Sequence, residues 1–264
     1  MFGLGEPPPT AMDLRFTLFR FPVRIHPFFW LATLLTGSNS PDGQTALIWV
    51  VACFFSILIH ELGHGFAFRA FGTDSHVVLH QFGGLCVPES SFTRWDYRRQ
   101  EESPISQIIV AAAGPGAGFL FAAVIVGFVY ITAATQGISY PIVPVFGLPR
   151  LLEWRFDADY YDWIGPYGYF LLSNLLFINI FWGLVNLLPI LPLDGGRISH
   201  QLLILADRDE PARLAHQISV AAAIAMAIWG MYQKDMYVTF LFGILAYQNY
   251  VSQQTYGWGD RGKW

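Results

Sequence analysis

The longest apolar stretch of the chain runs from Thr45 to Phe71, long enough to cross a bilayer as a helix. A further helix is expected over Ile105 to about Ala134, interrupted by Gly114-Pro115-Gly116. Gly165–Leu188, Leu214–Tyr232 and Met236–Val251 read as three more. His26–Gly37 is short for a full span unless it takes in residues of the strand before it. Two stretches have a different rhythm. Leu14–Ile25 alternates imperfectly and reads as one short interfacial strand. His76–Val87 alternates with Val77 and Leu79 on one side and His76, Val78 and His80 on the other. Together with Gly83-Gly84 it reads as a small β-hairpin or re-entrant element at the membrane surface. Residues 135–164 read as a Pro- and aromatic-rich loop holding Glu153, Asp157, Asp159 and Asp162. Pro189–Gly196 is a broken segment leading into a short amphipathic helix. The pattern predicts an all-α polytopic membrane protein with about six transmembrane helices and short β elements at the membrane surface. One membrane-embedded domain is expected over residues 1–264, with the Pro-rich residues 1–12 disordered.

Composition agrees with that reading. The chain is 54% hydrophobic and only 13% charged, against about 25% charged in globular proteins. A net charge of −4 gives no reason to expect nucleic acid. Cys53 lies in an apolar run and Cys86 beside Pro88, so two reduced thiols are expected and no disulfide framework. The first residues, MFGLGEPPPTAMD, hold no basic stretch followed by an apolar core, so no cleavable signal peptide is expected. Cationic residues set an orientation. Arg15, Arg20, Arg24, Arg94, Arg98, Arg99, Arg197, Arg208, Arg213, Arg261 and Lys263 fall on one side of a six-span map. Only Arg150, Arg155 and Lys234 fall on the other. The expectation is a multi-pass protein of the cell membrane with both termini cytoplasmic.

One pentapeptide does not belong in a plain membrane helix. His60-Glu61-Leu62-Gly63-His64 lies inside the Thr45–Phe71 run. A charge at the centre of such a helix costs roughly 2.5–3.5 kcal/mol on insertion scales, so something must offset it. Histidines four apart share one helix face, which is how HExxH motifs bind zinc, and the adjacent Glu can act as general base. His60 follows Thr45 by fifteen residues, roughly 22 Å along the axis, which puts the motif in the inner third of the membrane. Two histidines leave a catalytic zinc short of one protein ligand. The broken segment after the fourth apolar helix, Asn186-Leu187-Leu188-Pro189-Ile190-Leu191-Pro192-Leu193-Asp194-Gly195-Gly196, carries a carboxylate placed to reach the same depth. Asp194 also has plainer readings, as a surface Asp-Gly turn or as the N-cap of the helix that follows.

HELGH followed by NLLPILPLDGGR resembles the site-2 protease family of intramembrane zinc metalloproteases. The resemblance covers a catalytic core from about residue 45 to 200, and the compact layout is similar to the sporulation-factor-processing branch. It implies that His60, His64 and Asp194 bind one Zn2+ per chain, that Glu61 is the general base, and that Asn186 helps hold substrate or its oxyanion. Gly83, Gly84 and Gly114 would offer backbone groups to an extended substrate. Many members carry GPxxN in the third helix; here Gly118 stands where that Asn would be. The implied partners are a transmembrane or membrane-associated protein substrate and the lipid bilayer, together with a regulatory partner that the sequence does not identify. His26, His200 and His216 read as interfacial or loop histidines, and His76 and His80 as strand-face residues. Two other functions compete: a catalytically silent membrane chaperone or scaffold, and a metal transporter. The intact Glu61 argues against the first, and the scarcity of polar groups in the first, fifth and sixth helices against the second.

Overall fold

The computed structural model of the chain describes residues 6–37, 42–89, 103–145 and 153–259. Arg94, Arg98, Arg99, Arg150, Arg261 and Lys263, which enter the expected orientation, lie outside them. Two compact units form, one from residues 1–97 and 113–183, the other from 98–112 and 184–264. Among the described residues four helices are long and apolar enough to cross a membrane: Gly43–Ala70, Pro104–Thr135, Ala158–Asn186 and Pro211–Tyr232.

The first unit opens with β1 (Leu14–Leu18) and β2 (Phe21–Ile25). The single strand expected over this stretch is a hairpin, with Leu18 opposite Phe21. Phe19 and Arg20 both take positive φ, the left-handed pair that a two-residue turn needs to match strand twist. Neither is Gly or Asn, so the turn left no mark in the sequence. β2 runs parallel to β3 (Ser75–His80), which pairs antiparallel with β4 (Gly83–Pro88), giving the order β1-β2-β3-β4. The expected hairpin over His76–Val87 is therefore present. Val77, Val78 and Leu79 are all fully buried, so the middle of β3 is covered on both faces and the expected alternation of sides is not read out there as burial. Glu6 and Pro7 also belong to this part of the fold, both bonded to Arg24 on β2 at 2.7 and 2.8 Å.

A short helix, α1 (Pro27–Thr36), precedes α2 (Gly43–Ala70). Asp42 accepts from Thr45 N at 2.8 Å while Thr45 Oγ1 accepts from Asp42 N, a capping box that starts α2 two residues before the apolar run. At the other end Thr73 N donates back to Phe68 O at 3.0 Å and Gly72 takes φ +84°, which stops the helix. The Arg69 guanidinium lies 3.6 Å from the Phe21 ring centroid and donates to Phe19 O at 2.8 Å, pinning the β1–β2 turn to the end of α2.

α3 (Pro104–Thr135) runs unbroken through Gly114-Pro115-Gly116, where an interruption was expected. One missing N–H costs less than ending a helix inside hydrocarbon, where every freed backbone group needs a new partner. The loop expected over 135–164 holds a strand pair, β5 (Ile142–Val145) and β6 (Glu153–Phe156). The next helix, α4 (Ala158–Phe177), starts earlier than Gly165, capped by Asp157. Gly165 interrupts it at φ +70°, and Pro166 restarts the helix at the expected place. A π-helical turn, Ile178–Trp182, joins α4 to α5 (Gly183–Asn186). Ile125, Val129, Ile142, Phe156, Tyr160 and Leu176 share one core cluster. The buried Tyr160 hydroxyl is satisfied by Thr132 Oγ1 at 2.9 Å.

The second unit contains α6 (Asp194–Leu205), α7 (Pro211–Tyr232) and α8 (Met236–Gly259). α7 and α8 form a hairpin of helices, closed where Asp235 N donates to Gly230 O at 2.9 Å. α8 covers the expected sixth segment and runs on past Val251. Gln248, Asn249 and Gln253 make its C-terminal half more polar than a plain membrane span.

Candidate metal centre

The HELGH segment lies well inside α2, so His60 and His64 fall on one face by helical geometry. Their Nε2 atoms are 3.2 Å apart and their rings are nearly perpendicular. Two nitrogens held tetrahedrally at about 2.0–2.1 Å from zinc stand about 3.3 Å apart, so the pair fits a shared metal. Glu61 and His64 are each 6% exposed. Gly63 faces Ala113 O on α3 so closely that a Cβ there would overlap it. This is the small-residue packing that lets membrane helices approach.

Two of the glycines singled out in the sequence stand against these side chains. A Cβ on Gly114 would lie 2.8 Å from His60 Nε2 and closer still to His64 Nε2. Gly114 thus leaves open the space into which both imidazole nitrogens point. A Cβ on Gly84 would lie 2.6 Å from the Glu61 carboxyl carbon, so β4 runs directly beneath the carboxylate. Gly83 meets nothing within 4 Å and takes φ +120°, as the first residue after the β3–β4 turn.

In the second unit Asp194 is the first residue of α6 and 8% exposed. Leu193 occupies the cap position and makes no side-chain capping bond, so Asp194 is inside the first turn, where the helix dipole favours a carboxylate. Gly195 and Gly196 let that turn lie flat on the backbone of Leu187, Leu188 and Ile190, which a Cβ at either position would overlap. Asn186 ends α5 and is half-buried.

Several polar residues in these helices drew no functional reading from the sequence. Asn179, in the π-helical turn, donates to Ser56 Oγ at 2.8 Å one helical turn before His60. Its carboxamide oxygen lies 3.4 Å from where a Cβ of Gly118 would stand. His216, expected at an interface or in a loop, sits on α7 and pairs with Asn249 Oδ1 at 2.8 Å. His26 is buried as the cap of α1, its Nδ1 accepting from Phe28 N. His80 is buried on β3, and burial, with His26 and Arg24 nearby, pushes its pKa below the ordinary histidine value. Cys53 and Cys86 are buried and form no disulfide. Buried polar groups inside apolar helices were the available signal for Ser56, Asn179 and Asn249.

An HExxH helix among membrane-length apolar helices is a metallopeptidase arrangement. The sequence pattern of peptidase family M50 matches residues 48–152 and 164–229, and the chain belongs to that family, the site-2 proteases. It is 23% identical over 227 residues to a zinc metalloprotease of Methanocaldococcus jannaschii, covering 84% of this chain and 54% of that protein. A Synechocystis protein whose name gives zinc metalloprotease activity as provisional is 26% identical over 196 residues, covering 69% of this chain and 41% of the relative. The chain spans about half the length of the curated relatives it matches. The solved structure of the site-2 protease from Methanocaldococcus jannaschii shares the fold, with a TM-score of 0.53 at 18% identity over 91% of this chain and 95% of that one.

Proposed function

We propose that this protein is an intramembrane zinc metalloendopeptidase that hydrolyses peptide bonds in membrane-embedded or membrane-associated proteins. The observation that carries the reading is the imidazole pair, 3.2 Å apart, beside a buried carboxylate on a membrane-length apolar helix. His60, His64 and Asp194 would hold one zinc, two neutral donors and one anionic donor. When bound, zinc supplies Lewis acidity that acidifies water and polarises a peptide carbonyl. Glu61 takes the proton from the attacking water and passes it to the departing amide nitrogen. Burial of Glu61 under β4 keeps bulk water from competing for that proton. The edge strand β4, with Gly83 and Gly84, offers main-chain partners to a substrate drawn out into an extended form, and a Gly at 84 lets that strand pass close to Glu61. Gly114 leaves the space the reacting groups need. Asn186 helps orient the substrate or its oxyanion. Six spans with both termini cytoplasmic fit the distribution of basic residues.

The test compares membranes from cells carrying native protein and Glu61→Gln. Gln preserves volume and loses the proton acceptor. Metal stays bound, cleavage stops, and an uncut membrane precursor accumulates. Native proteolysis by the Gln form would end the reading. A chaperone or a transporter would keep its activity in the same variant.

A further inference from the structure

The segment before Asp194 has little regular structure of its own, yet its backbone must hold a carboxylate in place. Its midpoint, Leu191, is held by side chains of two other helices. Leu191 N donates to Ser219 Oγ on α7 at 2.9 Å. Leu191 O accepts from Asn249 Nδ2 on α8 at 2.7 Å. Both backbone groups of one residue, freed by the flanking prolines, are satisfied this way. Neither side chain is free to turn away. Ser219 Oγ also donates to Ala215 O at 2.7 Å, and Ser219 has no exposed surface. Asn249 Nδ2 also donates to Leu245 O at 2.8 Å. Two carbonyl acceptors on one side fix that end of the carboxamide as nitrogen, so Oδ1 faces His216, and His216 Nδ1 must carry the proton it donates at 2.8 Å. The chain of support then runs downward. Gly196 lies flat on Ile190 and the Leu191 nitrogen, so a shift of Leu191 moves the first turn of α6 and with it Asp194.

We infer that Ser219 and Asn249 are positioning residues that clamp Leu191 and so fix where α6 presents Asp194, with His216 orienting Asn249. The inference rests on the proposal that Asp194 is a metal ligand. Groups that hydrogen-bond a metal ligand directly typically change metal affinity by about 10–100-fold when lost. Ser219 and Asn249 act one step further out, through Leu191, so the low end of that range is expected.

The experiment is zinc titration of the purified full-length apo protein against a competing chelator, with unfolding temperature measured alongside. Ser219→Ala and Asn249→Leu each raise the zinc Kd about tenfold. Gly230→Ala is the control for a purely structural effect. Its new Cβ would crowd Thr239 Oγ1 at 2.9 Å, straining the α7–α8 pair without touching Leu191; it lowers the unfolding temperature and leaves zinc Kd native. Should Asn249→Leu fail to fold, Ser219→Ala, which deletes a single oxygen, decides alone. Native zinc affinity in the Ser219 and Asn249 variants, or an equal loss in Gly230→Ala, overturns the inference. Asp194→Asn in the same titration separates the two levels. If it binds zinc natively, the ligand assignment fails; if it loses zinc while Ser219→Ala does not, only the positioning role fails.

Discussion

Gly84 and Glu61 meet so closely that one methyl group on Gly84 would stand 2.5 Å from Glu61 Oε1. The strand and the HELGH helix are fitted to each other through the missing side chain. Gly84→Ala therefore displaces the carboxylate and lowers kcat by one or more orders of magnitude, with zinc content unchanged. Its neighbour behaves in the opposite way. Gly83 has open space but φ +120°, so Gly83→Ala costs more than about 1 kcal/mol of stability and leaves kcat near native. Steady-state kinetics and unfolding temperature on the two variants check the pair.

Gly114→Ala acts on the metal instead of the base. The new Cβ would enter the space between the two imidazole nitrogens, 2.8 Å from His60 Nε2. Zinc per purified chain should fall well below one, as in a His64→Ala control. A Gly114→Ala protein with full zinc would show that the helices spread easily to admit it.

Asp194→Asn separates ligand from cap. Asn is as good a cap as Asp, so a capping role predicts no change. The ligand role predicts sharp loss of zinc affinity and of cleavage in a protein that still inserts. Leu193, not Asp194, occupies the cap position, which favours the second outcome. Metal analysis of the purified variant is the measurement.

His80 gives a pH dependence with a definite sign. Burial first, then His26 and Arg24, hold its pKa below 6.5 in the folded protein. Its Nδ1 accepts from Phe82 N, a role only the unprotonated nitrogen can fill. The unfolded chain thus binds a proton more readily. The contribution of His80 is fully present above about pH 6.5 and is lost as pH falls through the lowered folded value. Unfolding temperature should drop on acidification from neutral pH more steeply in native protein than in His80→Gln. Parallel curves would remove His80 as the cause.

Much of this was legible in the chain because the signals were local. Apolar length gave the ends of α2 and α3 to within a turn, and HELGH gave the imidazole pair, since residues i and i+4 on a helix are neighbours on one face. What was missed depended on partners far away in sequence. Pro115 suggested a break, but the surrounding apolar helix overrode it. Phe19 and Arg20 form their turn without Gly or Asn because Arg69 grips it from α2. Ser219 and Asn249 could be flagged only as polar residues in apolar helices; that both reach Leu191 follows from packing, which no spacing rule encodes.

The glycine contacts also mark where the protein can be made sturdier. Exchanging Gly for Ala inside a helix ordinarily stabilises it by up to about 1 kcal/mol. On α3 a Cβ at Gly116 or Gly127 would meet no atom within 4 Å. Those two positions are open to stiffening, whereas Gly63 and Gly114, on the seam between α2 and α3, are closed to it. A thermostable form for crystallisation or inhibitor screening would begin with Gly127→Ala, far from the histidines in sequence, and leave every glycine of the seam untouched.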